Sequence, residues 1–228
     1  MLSDLFGHIG FDVADAEALR YYIIGHMAQS KRAAHILSVE QCALGIACAL
    51  QLSDADNFGG ADMPLLRQAA LLHDVTKEFT VPEHIRTAFT FGVELTSEQI
   101  AGEKVLHSIT GSLAAAYLFH ADSRVSDAIL NHTTGAAGMA LMDKIIFLAD
   151  YIEPRRRYAD CVTLREIYES GRERLYAVNN YAGAPALLDS LMLTGLDMTV
   201  RGLLDDGKFI NTRTVGAYNY FVKNTGIL

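Results

Sequence analysis

A His-Asp dipeptide, His73-Asp74 in the segment LLHDVTK, is where this chain's chemistry starts. Further metal-type residues stand in apolar surroundings on both sides of it: His35 upstream, and His107, His132 and Asp150 downstream. Imidazole and carboxylate hold a divalent ion while leaving room for water, and such an ion makes water a nucleophile toward phosphorus near neutral pH. The set points to a metallohydrolase. Each member alone says less. Adjacent helical residues point about 100° apart, so His73 and Asp74 reach one ion only if the end of their helix faces it. His35, in SKRAAHILSVEQCALG, reads equally as a hydrogen-bonded core histidine. Asp150, in KIIFLADYIEPR, must meet either a metal or one of Arg155, Arg156 and Arg157, because an unpaired buried carboxylate is costly. Arg32 precedes His35 by three residues and Lys77 follows Asp74 by three, a spacing that places each pair on one helical face and suits cations aimed at an anion.

The elements that must position these residues are helices. Apolar residues recur at helical spacing almost throughout, and strand-length alternation is hard to find, so the expected fold is all-α, a helical bundle. Helices are predicted over about 15–28 and 30–52, the second capped by Ser30, with a polar loop over 53–62. Pro64 suits the first turn of the helix carrying LLRQAALLHD, whose far end would open its ligands onto a cleft. Val81-Pro82 breaks the chain before a short helix, and Thr96 with Gln99 resembles a capping box that starts another. Later helices are expected over about 109–119, 122–131, 140–152, 162–178 and 185–204. The final twenty residues stay open between loop and helix.

Composition narrows the classes. Half of the 228 residues are hydrophobic, only 4 are Pro, and neither linker composition nor an internal repeat divides the chain, so one domain over 1–228 is expected. A formal charge of -8 argues against a nucleic-acid backbone binder, although a few Lys and Arg beside a metal still suit a small anionic substrate. The apolar run 41–52 falls short of the ~20 residues that span a bilayer, so no membrane partner is expected. The N-terminus lacks a basic segment followed by an apolar stretch, and Cys42, Cys48 and Cys161 form no CxxC pair; a cytoplasmic protein with reduced thiols is expected.

Taken together, the order His, His-Asp, Asp resembles the HD superfamily of metal-dependent phosphohydrolases. The segments SKRAAHILSV, ALLHDVTK, VLHSITGSLAA, ILNHTTG and KIIFLADYIEPRR, a motif core over about 30–157, resemble its YqeK branch, the symmetrical bis(5'-nucleosyl)-tetraphosphatases. The pairing of NHTTG with LADYIEP carries that specificity, and TVGAYN near the end is a weaker echo. The resemblance implies an all-α HD-domain bundle that binds a divalent ion and splits diadenosine tetraphosphate, a small-molecule dinucleoside polyphosphate, into two ADP. Iron is foremost, with manganese, cobalt, magnesium or zinc as alternatives.

Carried over by position, the resemblance makes His35, His73, Asp74 and Asp150 the metal ligands. It makes Asp74, Lys77, His107 and His132 the catalytic group, with His107 and His132 either holding a second ion or contacting phosphate. Arg32, Lys77, His107, His132, Thr133, Asp150 and Arg156 are expected on the polyphosphate, and Asn211, Thr212 and Thr214 on the nucleotide. His8, His26, His84 and His120 fall outside the motifs and are assigned to surface or packing. The alternatives are another HD-type phosphohydrolase, acting on a nucleoside monophosphate or a guanosine polyphosphate, and a non-enzymatic nucleotide- or metal-binding module. The GYP motif of one cyclic-dinucleotide branch is missing. Oligomeric state is left open, a homodimer included.

Overall fold

Local start signals set most of the helix boundaries. In the computed structural model, which describes residues 3–7, 9–27, 30–52 and 62–225, α1 spans Ser3–Phe6 and α2 spans Ala16–His26. The Asp15 carboxylate caps α2 by accepting from the amides of Glu17 and Ala18 at 3.0 and 3.1 Å. The long α3 (Ser30–Ala49) ends just before Gln51, which adopts φ 53. Asp62 accepts from the Leu65 amide and Pro64 occupies the first turn of α4 (Met63–Leu72), as its sequence predicts. Then come α5 (Val81–Thr90) and α6 (Ser97–Ala101), both opening on capping boxes, where the amides of Thr80 and Thr96 donate to Glu83 and Gln99. A 3₁₀ turn at Glu103–Val105 leads into α7 (Leu106–Tyr117). The chain continues through α8 (Ser123–Asn131), α9 (Leu141–Ile152), α10 (Ala159–Ala177), α11 (Ala184–Asp205) and α12 (Thr212–Asn224).

Among the described residues there is no strand, and the fold is all-α. One expectation shifts, one open stretch resolves and one element is new. The helix after the 3₁₀ turn begins at Leu106 rather than 109, which brings His107 into its first turn. The ambiguous C-terminal stretch is mostly helix, because Asn211 accepts from the Arg213 amide at 2.9 Å and caps it while Ala217 and Phe221 are buried. The short α1 has no periodic signal of its own and is fixed instead by tertiary contact. Phe6 is buried against Phe79, and its carbonyl accepts from the Tyr22 hydroxyl at 2.8 Å. Residues 53–61 of the predicted loop 53–62, the side chain of Ser30 and His8 lie outside the described residues.

Helices α3, α4, α7, α8 and α9 pack on one another and form the centre, with α2 against α4 and α5 against α7. On the other side, α10 and α11 cover α9, and α12 lies along α11. One apolar cluster runs from Phe6 to Phe221 through Leu19, Ile36, Leu71, Ile146 and Leu196. Where α7 passes the turn after α4, Gly111 sets the approach. A Cβ there would stand 3.3 Å from Ile129, 3.5 Å from the Thr76 hydroxyl and 3.6 Å from the His73 carbonyl. A methyl group could just be accepted, but a larger side chain has nowhere to go. Gly111→Leu is therefore expected to lower stability by about 1–3 kcal/mol through overpacking, read as a lower midpoint in urea unfolding; an unchanged midpoint would mean the helices are free to part here.

Candidate metal centre

Two of the histidines use the same device. His73 stands at the C-terminal end of α4 and His132 at that of α8, where the last carbonyls of a helix have no intrahelical partner. Each ring turns back on its own helix: His73 Nδ1 donates to the Ala70 carbonyl at 2.7 Å and His132 Nδ1 to the Ile129 carbonyl at 2.6 Å. That bond satisfies an orphan carbonyl and fixes the tautomer, so each Nε2 is left as a lone-pair donor facing the cluster. His35 belongs to the body of α3, Asp150 to the last turn of α9, and His107 to the first turn of α7. Asp74 and Lys77 lie in the turns after α4 rather than on its face. The three-residue spacing still brings Lys77 Nζ to 3.7 Å from Asp74 Oδ1.

Asp74 joins the two halves of the cluster. On one side Oδ2 lies 3.7 Å from His35 Nε2 and 3.6 Å from His73 Nε2, while Asp150 Oδ1 lies 3.0 and 3.7 Å from the same two nitrogens. On the other side Oδ1 lies 3.3 Å from His107 Nε2 and 3.7 Å from His132 Nε2, and those two nitrogens are 3.1 Å apart. Ligand atoms at about 2.0–2.2 Å from a common ion stand roughly 3–3.5 Å from each other, close to these spacings. Asp74 is buried, as are His73, His107 and His132, and three of the converging atoms, His35 Nε2, His73 Nε2 and Asp74 Oδ1, have no hydrogen-bond partner. Buried polar atoms left unpaired are expensive, and a divalent ion is what this donor set fits. Among the described residues the spacing brings three sets of ligand atoms within reach of an ion: His35, His73 and Asp74; His73, His132 and Asp150; and Asp74, His107 and His132.

Cations ring the cluster. Arg32 Nη1 reaches Asp74 Oδ2 at 2.7 Å, and Lys77 Nζ lies 2.9 Å from His107 Nε2. Of the three consecutive arginines, only Arg156 turns inward, onto Asp150, while Arg155 and Arg157 are exposed. Thr133 Oγ1 lies 3.0 and 3.2 Å from the Nε2 atoms of His132 and His107. Beside Lys77 and Thr133 a cleft of about 490 Å³ opens toward the end of α11, and Asn211 and Thr214 line it. Thr212 does not line it; its hydroxyl and amide donate to Glu98 at 2.6 and 3.1 Å.

Sequence reasoning missed the residues that hold these groups in place. Glu153, beyond the end of α9, accepts at 3.0 Å from His35 Nδ1 and is itself held by the Ser38 hydroxyl and the Arg155 amide, each at 2.7 Å. Its position within ADYIEP was the only signal. Asn131, just before His132, links Arg213 of α12 at 2.6 Å to Asp143 of α9 at 2.8 Å. Nothing local in the sequence ties those three together.

The charge states follow from this packing. Burial disfavours imidazolium and pushes His73 down to about 4 and His107 well below its ordinary value, the latter helped by the Lys77 charge. Burial acts the same way on His35 but is outweighed by Asp150 and Glu153, which push it up to about 9. For Asp74 and Asp150 burial opposes ionisation. The neighbouring histidines and Lys77 for Asp74, and Arg156 and His35 for Asp150, overcome it and hold both well below the carboxylate range.

The profile of the HD domain family matches residues 32–155, and the chain belongs to that family. It is 29% identical over 171 residues to a symmetrical bis(5'-nucleosyl)-tetraphosphatase of Halalkalibacterium halodurans, covering 73% of this chain and 80% of that one. A Staphylococcus aureus protein of the same name is 28% identical over 198 residues, 84% and 87% of the two chains. A crystal structure from Clostridium acetobutylicum, described as a predicted HD superfamily hydrolase involved in NAD metabolism, superposes with a TM-score of 0.74 at 27% identity, covering 91% and 96% of the two chains. Among the described residues no helix is long and apolar enough to cross a membrane.

Two measurements test the centre. Because His35 is protonated below about 9 and a ligand must be neutral, ion binding at pH 7.5 should release about one proton, and apparent affinity should rise with pH toward 9. Calorimetry in buffers of different ionisation enthalpy reads this, and no proton release would mean that His35 is neutral before the ion binds. Glu153→Gln should keep the fold and weaken metal binding about 10- to 100-fold, because the group that orients His35 is lost. Equal metal titration by variant and parent would assign Glu153 to structure alone.

Proposed function

We propose that the chain is a metal-dependent phosphohydrolase that splits diadenosine tetraphosphate symmetrically into two ADP. The observation that carries this reading is the placement of Arg32, Lys77 and Arg156 directly on the carboxylates and histidine of a buried cluster of metal-type ligands. Such a rim attracts a polyanion despite the chain's net negative charge. The names of the relatives from H. halodurans and S. aureus supply the substrate. His35, His73, Asp74 and Asp150 would hold the first ion and His107 and His132, with Asp74, a second. Iron is our first choice because the family resemblance implies it; mixed imidazole and carboxylate ligation suits manganese, cobalt and zinc as well. When bound, the metal would polarise a phosphate oxygen and ionise water near neutral pH.

The chain's own residues do the rest. Arg32 and Arg156 offer planar guanidinium groups that can bind phosphate oxygens in bidentate fashion. Lys77, 2.9 Å from His107 Nε2, keeps a positive charge where charge develops on the phosphates as the bond to the leaving ADP breaks. Thr133 offers a hydroxyl at the same edge, and Asn211 and Thr214 face the cleft in which we place a nucleoside. Thr212 we retain only as support for that wall through Glu98. The chain works as one domain, and its three cysteines are unpaired, as befits the cytoplasm.

Incubating the protein loaded with iron or manganese with diadenosine tetraphosphate, and separating the nucleotides by chromatography, should give ADP alone. ATP plus AMP would refute symmetrical cleavage, and no turnover would refute the substrate. Asp74→Ala should lose both metal and activity. Lys77→Ala should bind metal normally yet turn over about 100-fold more slowly; an undiminished rate would return Lys77 to the surface.

A further inference from the structure

Symmetrical cleavage poses a geometric requirement that one cleft does not meet. A substrate with a nucleoside at each end of its phosphate chain must send those ends away from the reacting phosphorus in two directions. The protein has two clefts that share a wall. The first, of about 490 Å³, runs from Thr133 toward Phe209 and Asn211. The second, of about 410 Å³, lies between α5 and the start of α7, with Phe79, Val81, His84 and His107 along it. Both are bounded by Lys77, Glu103 and Lys104. Lys77 is also the residue that reaches the ligand cluster, so the metal centre lies under the ridge where the two clefts meet. Each volume falls within the roughly 300–1,000 Å³ of small-ligand sites.

The second cleft also carries a recognition group. His84 is buried, and its Nδ1 lies 2.8 Å from the Thr110 hydroxyl. The Thr76 hydroxyl lies 2.9 Å from the His107 carbonyl, and both the Thr76 hydroxyl and the Leu106 carbonyl can take the proton of Thr110. In that arrangement the Thr110 oxygen accepts from His84 Nδ1–H, and His84 Nε2 is an acceptor. Burial keeps the ring neutral by lowering its pKa to about 4, outweighing the pull of Glu83. A neutral acceptor beside the aromatic and apolar side chains of Phe79 and Val81, with Lys77 and Lys104 on the shared wall for phosphate, suits a base that offers an exocyclic amino group.

We propose that this second cleft is the subsite for the other adenosine, with His84 Nε2 accepting from its amino group. The two ADP halves would thus lie on opposite sides of the Lys77–Lys104 ridge. The inference rests on the dinucleotide reading above, but its test does not depend on turnover. Manganese-loaded protein titrated with ADP in a calorimeter should bind two equivalents per chain. Thr80→Trp, which fills the exposed rim of the second cleft, should bind one. His84→Asn should lose about tenfold in ADP affinity at that site while inosine diphosphate, which has no amino group there, binds as it does to the parent. One ADP per chain in the parent, or an equal loss for both nucleotides in His84→Asn, would overturn the proposal even if diadenosine tetraphosphate is cleaved to ADP. Two sites with the expected selectivity but no cleavage would uphold the subsite and remove the hydrolase reading.

Discussion

The carboxylate of Asp74 is the point on which the architecture converges. It is buried, it faces histidines from α3, α4, α7 and α8, and it accepts an ion pair from Arg32. A carboxylate in that position is tolerable only while cations and imidazoles surround it. Those partners arrive on four helices, so the packing of the bundle and the electrostatics of the site are one problem. The shared device at His73 and His132 helps solve it. By bonding its own helix, each ring is oriented before any ligand arrives, which limits the freedom lost on binding.

Much of this was legible in the sequence, and the reasons differ by element. The caps of α2, α4, α5 and α6 are local, and Asp15, Pro64, Glu83 and Gln99 announce them within three residues of the helix start. The convergence of His35, His73, Asp74, His107, His132 and Asp150 was expected for a different reason: each alone reads equally as packing or a salt bridge, and the resemblance to the HD family is what joined them. What sequence could not show is pairing at a distance. Glu153 meets His35 from 118 residues away, and Arg213 meets Asn131 from 82. A glutamate followed by proline, or an arginine in the first turn of a helix, looks like ordinary surface. For the same reason His84 reads as packing until Thr110 and Thr76 are placed beside it.

The site also explains how an acidic chain handles a polyanion. The formal charge of -8 is spread over the surface, whereas Arg32, Lys77 and Arg156 are gathered at the centre where carboxylates hold them. On the proposed reading the same carboxylates would also hold the metal, so Arg32 and Arg156 stand where phosphate oxygens would meet it. Local composition, and not the average, decides what the cleft accepts.

The last carbonyls of α9 are tied by a residue well beyond the motif. Arg165 of α10 donates to the carbonyls of Ile152 and Glu153, both at 2.6 Å, and of Arg156 at 2.9 Å. Those carbonyls frame the turn that carries Asp150, Glu153 and Arg156, while Leu164 is buried beside the arginine in the main core. The stretch that defines the family ends at residue 155, ten positions before this clamp. Heredity and mechanics therefore divide the chain differently: a fragment cut at the edge of the recognisable motif would keep every candidate metal ligand and lose the splint beside Asp150.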